Sequence, residues 1–176
     1  MSGGAWVSER AAARILAGCG VARRQAREAL GDGLAGAPMS TSAATLYRRD
    51  RVEELAARPA LTYEEARAAC PLGMFVGRRR VSVLCAWEDQ VSAVSPGWDL
   101  GVWTAAFLNR DLREAARPAV FTVAGFIALG ADLVHVRARG NRHDLVLEKP
   151  GPWFGSVCAR RLDAGRGKAW RRELWR

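Results

Sequence analysis

The strongest constraint on the fold is a pair of short helical patterns separated by a glycine-containing turn near the N-terminus. Ser8 and Glu9 suit the start of a helix, because a serine caps the first backbone N–H groups and an acidic residue favours the positive end of the helix dipole. Gly18 and Gly20 end that helix, since glycine adopts the left-handed conformation of a C-cap at little cost. Apolar residues recur at helical spacing between these signals, at Val7, Ala11, Ala12, Ile15 and Leu16.

The second helical pattern, over residues 21–30, carries arginines opposite a face of small apolar residues. Arg23, Arg24 and Arg27 lie on one arc, and the other arc holds Ala22, Ala26, Ala29 and Leu30. The small face allows close packing on the first helix and leaves the guanidinium groups available for phosphates or guanine edges. The alternative interpretation of the same pattern is an ordinary solvated charged face.

The segment after this helix predicts a hairpin and a third helix. Residues 31–44 are mostly small or turn-forming and carry too little bulk to build a core. Residues 45–48 are typical of a short strand. Asp50 then suits the N-cap of a helix that holds Val52 and Leu55.

This order of elements, with the sequence YRRDRVEELA at residues 47–56, resembles the winged helix-turn-helix DNA-binding domains of the MerR and excisionase group. In that group a recognition helix leads into a hairpin wing, and an Arg/Tyr-rich strand with an Asp-x-Val step opens the next helix. The resemblance implies that helix 21–30 reads DNA. The implied contacts are Arg23, Arg24 and Arg27 on that helix and, from the wing towards phosphates, Arg48 and Arg49. The main alternative is a helix-turn-helix used for protein contacts.

The charge of the chain favours a polyanionic partner. Lys and Arg number 27 against 18 Asp and Glu, for a formal net charge of +9 and a pI near 10.6. Only Lys149 and Lys168 are lysines, so a coding bias towards arginine could produce the same balance. The tail at 160–176 is rich in arginine with interspersed tryptophans, and its Gly-Arg-Gly-Lys turn places Arg166 and Lys168 as further predicted phosphate contacts.

Residues 60–176 predict a small mixed α/β domain with an antiparallel sheet. Thr62 and Glu65 form a capping-box pattern at the start of a short helix. A second helix is expected over 103–116, closed by Pro118. The predicted strands are 74–76, 81–87, 120–127, 133–136 and 145–147, with a turn at 140–141 between the last two. The expected class is therefore α+β, with a winged helix-turn-helix in 1–58 followed by this domain in 60–176.

No pattern of catalytic or metal-binding residues is evident. The chain has no Gly-x-Gly-x-x-Gly, no Gly-Lys-Ser phosphate loop and no Gly-x-Ser-x-Gly elbow. The cysteines stand apart at Cys19, Cys70, Cys85 and Cys158, and a turn separates His135 from His143. Zinc sites usually take ligands in close pairs, so no metal site is expected. The sequence likewise predicts neither a cofactor nor an enzymatic activity. Small buried thiols in a reducing compartment are the expected role of the cysteines.

The predicted function is that of a DNA-binding protein, as a bacterial transcription regulator acting on double-stranded DNA. No signal-peptide pattern opens the chain, and the longest apolar run, 119–131, is too short to span a bilayer. A cytoplasmic location without a membrane partner follows as an expectation. A homodimer would fit two half-sites, and no small-molecule effector can be named. The alternatives are an excisionase-like architectural DNA binder and a non-enzymatic protein–protein adaptor that presents the aromatic turn at 150–154.

Overall fold

The computed structural model describes residues 5–162 and the backbone of residues 170–173. The expected α+β class is confirmed, because helices and two sheets both occur. The helices are α1 (Glu9–Gly18), α2 (Arg23–Gly31), α3 (Arg49–Ala56), α4 (Tyr63–Ala69), α5 (Trp87–Val94) and α6 (Val102–Leu112). The strands are β1 (Trp6–Ser8), β2 (Met39–Ser40), β3 (Thr45–Arg48), β4 (Met74–Arg78), β5 (Arg117–Val123), β6 (Phe126–Arg139), β7 (Arg142–Glu148) and β8 (Trp170–Glu173). A 3₁₀ turn spans Pro152–Ser156.

Small residues hold α1 and α2 together. The Ser8 hydroxyl caps α1 by accepting a hydrogen bond from the Ala11 N–H at 3.4 Å. The facing sides of the two helices are buried, through Ala12, Ala13 and Leu16 of α1 and Ala26, Ala29 and Leu30 of α2. Helix α2 begins two residues later than predicted, at Arg23, because Ala22 still has the extended backbone of an N-cap.

The first sheet consists of strand β1 and the short hairpin of β2 and β3. Its order is β1-β3-β2 with antiparallel pairing throughout. The Thr41 hydroxyl closes the hairpin tip, accepting from the Ala44 N–H at 3.0 Å and donating to the Ala44 carbonyl at 2.9 Å. The prediction that Asp50 caps α3 is wrong. Strand β3 passes directly into the helix, so Arg48 is the N-cap and Asp50 lies in the first turn.

The second sheet is mixed. Its order is β7-β6-β5-β4-β8, and β4 and β5 are parallel while the other pairs are antiparallel. The predicted antiparallel sheet is therefore present, with one parallel pair that the sequence did not predict. The connection from β4 to β5 contains α5 and α6, and a helical crossover of that kind brings the next strand in parallel.

Three predicted elements between residues 81 and 127 are wrong in type or extent. Residues 81–86 form a loop with a turn at 83–85 rather than a strand, and α5 begins at Trp87 with acidic residues in its first turn. Helix α6 ends at Leu112, and Pro118 lies inside β5 near its start, before the pairing with β4 begins at Ala119. The strand predicted at 120–127 is interrupted by a turn at Ala124 and Gly125, which have φ values of 56° and 85°.

Packing continues across the predicted boundary at residues 58–60. One hydrophobic cluster runs from α1, α2 and α3 to the large sheet, where Phe75, Trp98 and Phe121 meet above Gly77. A Cβ at Gly77 would lie 2.7 Å from the Trp98 ring, so the aromatic packs directly on the strand backbone. A smaller cluster lies between α4 and the 3₁₀ turn. The boundary at 58–60 stays a prediction.

The predicted capping box of α4 is confirmed, and it supplies a stability test. The Glu65 N–H donates to the Thr62 hydroxyl at 3.2 Å, and the Thr62 N–H donates to the Glu65 carboxylate at 3.0 Å. Thr62→Ala removes one of these bonds and is expected to lower the free energy of unfolding by about 1 kcal/mol. Urea denaturation followed by circular dichroism measures the change, with Thr62→Ser as the control that keeps the hydroxyl. Equal midpoints for the alanine and serine variants would contradict the prediction.

Candidate nucleic-acid interface

The exposed face of α2 consists of arginines. Arg23, Arg24 and Arg27 are all exposed, while Ala26 and Ala29 on the opposite face are completely buried. Helical periodicity produces this division, because residues three and four apart share a face. The structure therefore brings the three predicted contact residues of this helix to one surface.

These arginines line an open depression of about 370 Å³, together with Glu28 and Arg80. Arg24 donates to Glu28 at 3.1 Å, and Arg27 lies 3.2 Å from the Glu9 carboxylate. Both ion pairs are solvent-exposed, and such pairs contribute little to stability. The guanidinium groups can therefore leave these partners for a stronger anion such as a phosphate.

Arg80 is a member of this surface that the sequence did not reveal. Its Nε and Nη2 donate to the two carboxylate oxygens of Asp32 at 3.0 and 2.7 Å. Asp32 follows α2 and is only 6% exposed, so a nearly buried acid holds Arg80 in a fixed orientation. Hydrogen bonding to this carboxylate, and then its charge, raises the pKa of Arg80. The arginine run at 78–80 was visible in the sequence, but no local signal pairs it with an acid 48 residues away.

Arg48 and Arg49 lie at the junction of β3 and α3, outside the lining of the depression. Arg48 donates to both oxygens of Asp50, at 3.1 and 2.6 Å, and this hydrogen bonding lowers the pKa of Asp50. Arg49 donates to Glu53 at 2.7 Å, a bond that raises the pKa of Arg49. Both arginines are exposed, so each presents donors to solvent beside the hairpin.

Comparisons with protein-family models, with curated proteins and with solved structures find no match to this chain. Within the part of the chain that the structure describes, no group of three or more His, Cys, Asp or Glu side chains is placed to hold a metal ion. Among the helices of that same part, none has both the length and the apolar character needed to cross a bilayer.

The basic tail is described only in part. The two predicted phosphate contacts, Arg166 and Lys168, lie outside the described residues. The backbone of residues 170–173 forms β8, which pairs antiparallel with β4 at one edge of the large sheet. This stretch of the tail is therefore docked through its main chain.

The cysteines differ in exposure, contrary to the expectation of four buried thiols. Only Cys70 is buried, whereas Cys19 and Cys158 are partly exposed and Cys85 is exposed. Desolvation, followed by the charge of Asp132, raises the pKa of Cys70 to about 11. Cys70 is therefore a poor nucleophile at neutral pH. Cys85 is exposed because it lies in a surface turn at residues 83–85 instead of in the predicted strand.

Loss of Arg80 is expected to cost stability, unlike loss of the arginines of α2. Arg80→Ala leaves the nearly buried Asp32 carboxylate without its bidentate partner, at a cost of about 1–2 kcal/mol after allowance for the solvent-exposed guanidinium. Arg24→Ala breaks only an exposed pair and is expected to change the free energy of unfolding by less than about 0.5 kcal/mol. Urea denaturation of both variants makes the comparison. Similar losses in the two would contradict the special role of the pair with Asp32.

Proposed function

We propose that this chain is a DNA-binding protein, a bacterial transcription regulator that acts in the cytoplasm and reads double-stranded DNA through α2. The observation that carries the proposal is the exposed arginine surface of Arg23, Arg24 and Arg27 on a helix whose other face is fully buried. A helix presented in this way fits the major groove, which is about 12 Å wide. In this proposal α1 and α2 form a helix-turn-helix, and the β2–β3 hairpin is its wing.

The arginine surface can contact both the bases and the phosphates of DNA. A guanidinium binds guanine O6 and N7 bidentately, and it also binds phosphate oxygens. In the proposed complex the arginines of α2 exchange Glu9 and Glu28 for these acceptors. Arg80, oriented by Asp32, contacts a phosphate beside the groove, and Arg48 and Arg49 approach the backbone from the wing.

A second candidate is a protein–protein adaptor, and one observation favours it. Val102 and Trp103 at the start of α6 are 76% and 78% exposed, and Phe107 follows one turn later at 47%. An exposed apolar cluster of this kind is typical of a protein contact. The two aromatic side chains of the turn at 150–154 are only partly exposed, and both have contacts within the chain. Trp153 donates to Asp132 at 2.7 Å, and Phe154 packs against Gly130.

Selection of sheared genomic DNA on the purified full chain, at moderate salt and followed by sequencing, tests the proposal. Enrichment of a short motif is expected, and a two-fold symmetric motif would indicate a homodimer on two half-sites. Broad enrichment without a motif, together with a steep salt dependence, would favour the excisionase-like architectural alternative. No retention of DNA near physiological salt would overturn DNA binding and leave the adaptor.

A further inference from the structure

A second cavity, of about 360 Å³, lies between the α1–α2 turn and the turn that joins β5 to β6. One side of its wall comes from Gly20, Val21 and Gln25. The other side comes from Ala60, Ala124 and Arg161. The cavity therefore joins the start of the proposed reading helix to the large sheet, and its volume lies in the range of small-molecule sites.

Arg161 is held in this wall by contacts in three directions. Its backbone N–H donates to the Pro59 carbonyl at 3.0 Å, and its own carbonyl accepts from the Leu61 N–H at 2.8 Å. The next residue donates to the Gly125 carbonyl at 2.7 Å, which ties the segment to the β5–β6 turn. The guanidinium Nη1 donates to the Cys19 carbonyl at 2.7 Å. Both the main chain and the side chain of Arg161 are thus fixed before any ligand arrives.

The charge of Arg161 is not balanced by the described residues of the wall. Neither Asp nor Glu is among the described residues that line the cavity, and within residues 5–162 no ion pair involves Arg161. A guanidinium carries five N–H donors, of which the Cys19 carbonyl uses one. A partly buried cation of this kind is best satisfied by an anion that accepts two hydrogen bonds. The apolar part of the wall comes from Val21, Ala60, Ala124 and Leu162.

The backbone at the wall is strained at one residue. Ala124 has φ +56° and is the one non-glycine residue in the described part of the chain with a positive φ. Positive φ at two successive residues suits the tight turn between β5 and β6, where Asn or Gly is the usual first residue. Alanine at this position presents a single methyl group to the cavity. Strained residues of this type concentrate at ligand sites.

We propose that this cavity binds a small organic carboxylate, with its negative group on Arg161 and its apolar part against Val21 and Ala124. Under the proposed function this is an effector site, because Val21 lies just before the helix that reads DNA and Gln25 lies in its first turn. Only that regulatory role rests on the proposed function. Carboxylate binding is measured without DNA, so failure at this site and failure of DNA binding are separate results.

Hexanoate is the probe, and hexanamide is its uncharged control. In an amide NMR titration of the full chain, hexanoate is expected to shift the Val21, Gln25 and Ala124 signals saturably. Hexanamide is expected to bind at least about tenfold more weakly, because it lacks the charge-assisted bond to the guanidinium. Absence of saturable shifts at these residues, or equal affinity for the two probes, overturns the proposal on the wild-type protein alone.

Variants at Arg161 test whether its guanidinium is the positive charge that binds the carboxylate. Arg161→Gln is expected to lower hexanoate affinity about tenfold, and Arg161→Lys is expected to keep the preference for hexanoate over hexanamide. Arg137→Gln, at an exposed position of β6, is the matched control and is expected to leave binding unchanged. Arg161→Lys also preserves a donor for the Cys19 carbonyl. If the glutamine variant does not fold, the lysine variant still tests the charge, and loss of its preference for hexanoate would overturn the proposal. Wild-type selectivity in a folded glutamine variant overturns the role of Arg161.

Discussion

Simultaneous replacement of Arg23, Arg24 and Arg27 by alanine is expected to abolish specific DNA binding while the chain stays folded. The three side chains are exposed, and their ion pairs lie at the surface, so the fold loses little. Each good arginine–base contact contributes about 1–3 kcal/mol of discrimination, so the affinity for a selected duplex should fall by a factor on the order of 100 or more. Fluorescence anisotropy of that duplex measures affinity, and circular dichroism verifies folding.

The matched control is the triple alanine variant of Arg110, Arg113 and Arg137. These arginines are also exposed, and they lie on or near α6 and β6, outside the depression beside α2. Both triple variants lose the same net charge, so the comparison separates the position of the charge from its amount. Equal weakening of binding in the two variants would show that only the overall positive charge attracts DNA.

Salt dependence separates phosphate contacts from base contacts. The logarithm of the binding constant falls linearly with the logarithm of salt concentration, with a slope of about 0.9 for each neutralised phosphate. Arg80→Ala is expected to reduce the magnitude of this slope by about 1 and to weaken binding to all sequences alike. A selective loss of affinity for the preferred motif would instead assign Arg80 to a base. An unchanged slope and affinity would remove Arg80 from the interface.

The sequence predicted the features that depend on neighbouring residues. The serine cap of α1, the capping box at Thr62 and the turn at 140–141 were all correct, because each signal spans only a few residues. The arginine face of α2 was also correct, since it requires only helical periodicity.

Features that depend on distant partners could not be predicted in the same way. The bidentate pair joins Asp32, which follows α2, with Arg80, which follows β4. The sequence around either residue gives no sign of this partner. Residues 81–87 are mostly apolar, as in a short strand, yet residues 83–85 form a turn whose Val83 N–H donates to the Asp32 carbonyl at 2.9 Å. Tertiary contacts overrode local propensity there, as they commonly do for short apolar segments.

Replacing Trp98 by alanine is expected to produce the largest loss of stability of any single substitution considered, about 3–5 kcal/mol. The side chain is 1% exposed and contacts Phe75 and Phe121 at ring-centroid distances of 5.5 and 6.0 Å. Its indole N–H donates to the Val94 carbonyl at 2.7 Å, and its backbone bonds to His143 in both directions. Alanine would leave a large cavity beside the large sheet and would remove the indole donor from the Val94 carbonyl, which would keep only the longer bond from Arg79 at 3.4 Å.

Urea denaturation measures this loss, with two tryptophan variants as controls. Trp103→Ala removes a side chain that is 78% exposed, so a change within about 0.5 kcal/mol is expected. Trp98→Phe keeps an aromatic ring above Gly77 but removes the indole N–H, and its loss should be intermediate. A loss below about 1 kcal/mol for Trp98→Ala would contradict the central packing role of this residue.

The same variant tests whether the N-terminal helices fold as a separate unit. Because one apolar cluster connects α1 and α2 with Trp98, damage at the sheet is expected to destabilise α2 as well. Binding of the selected duplex and the circular dichroism signal should then be lost together in one transition, at a lower urea concentration than in the wild type. Persistence of DNA binding after the sheet has unfolded would instead establish residues 1–58 as an independent domain. In that case the contacts of Asp32 with Arg80 and of Cys19 with Arg161 would connect two domains that fold independently.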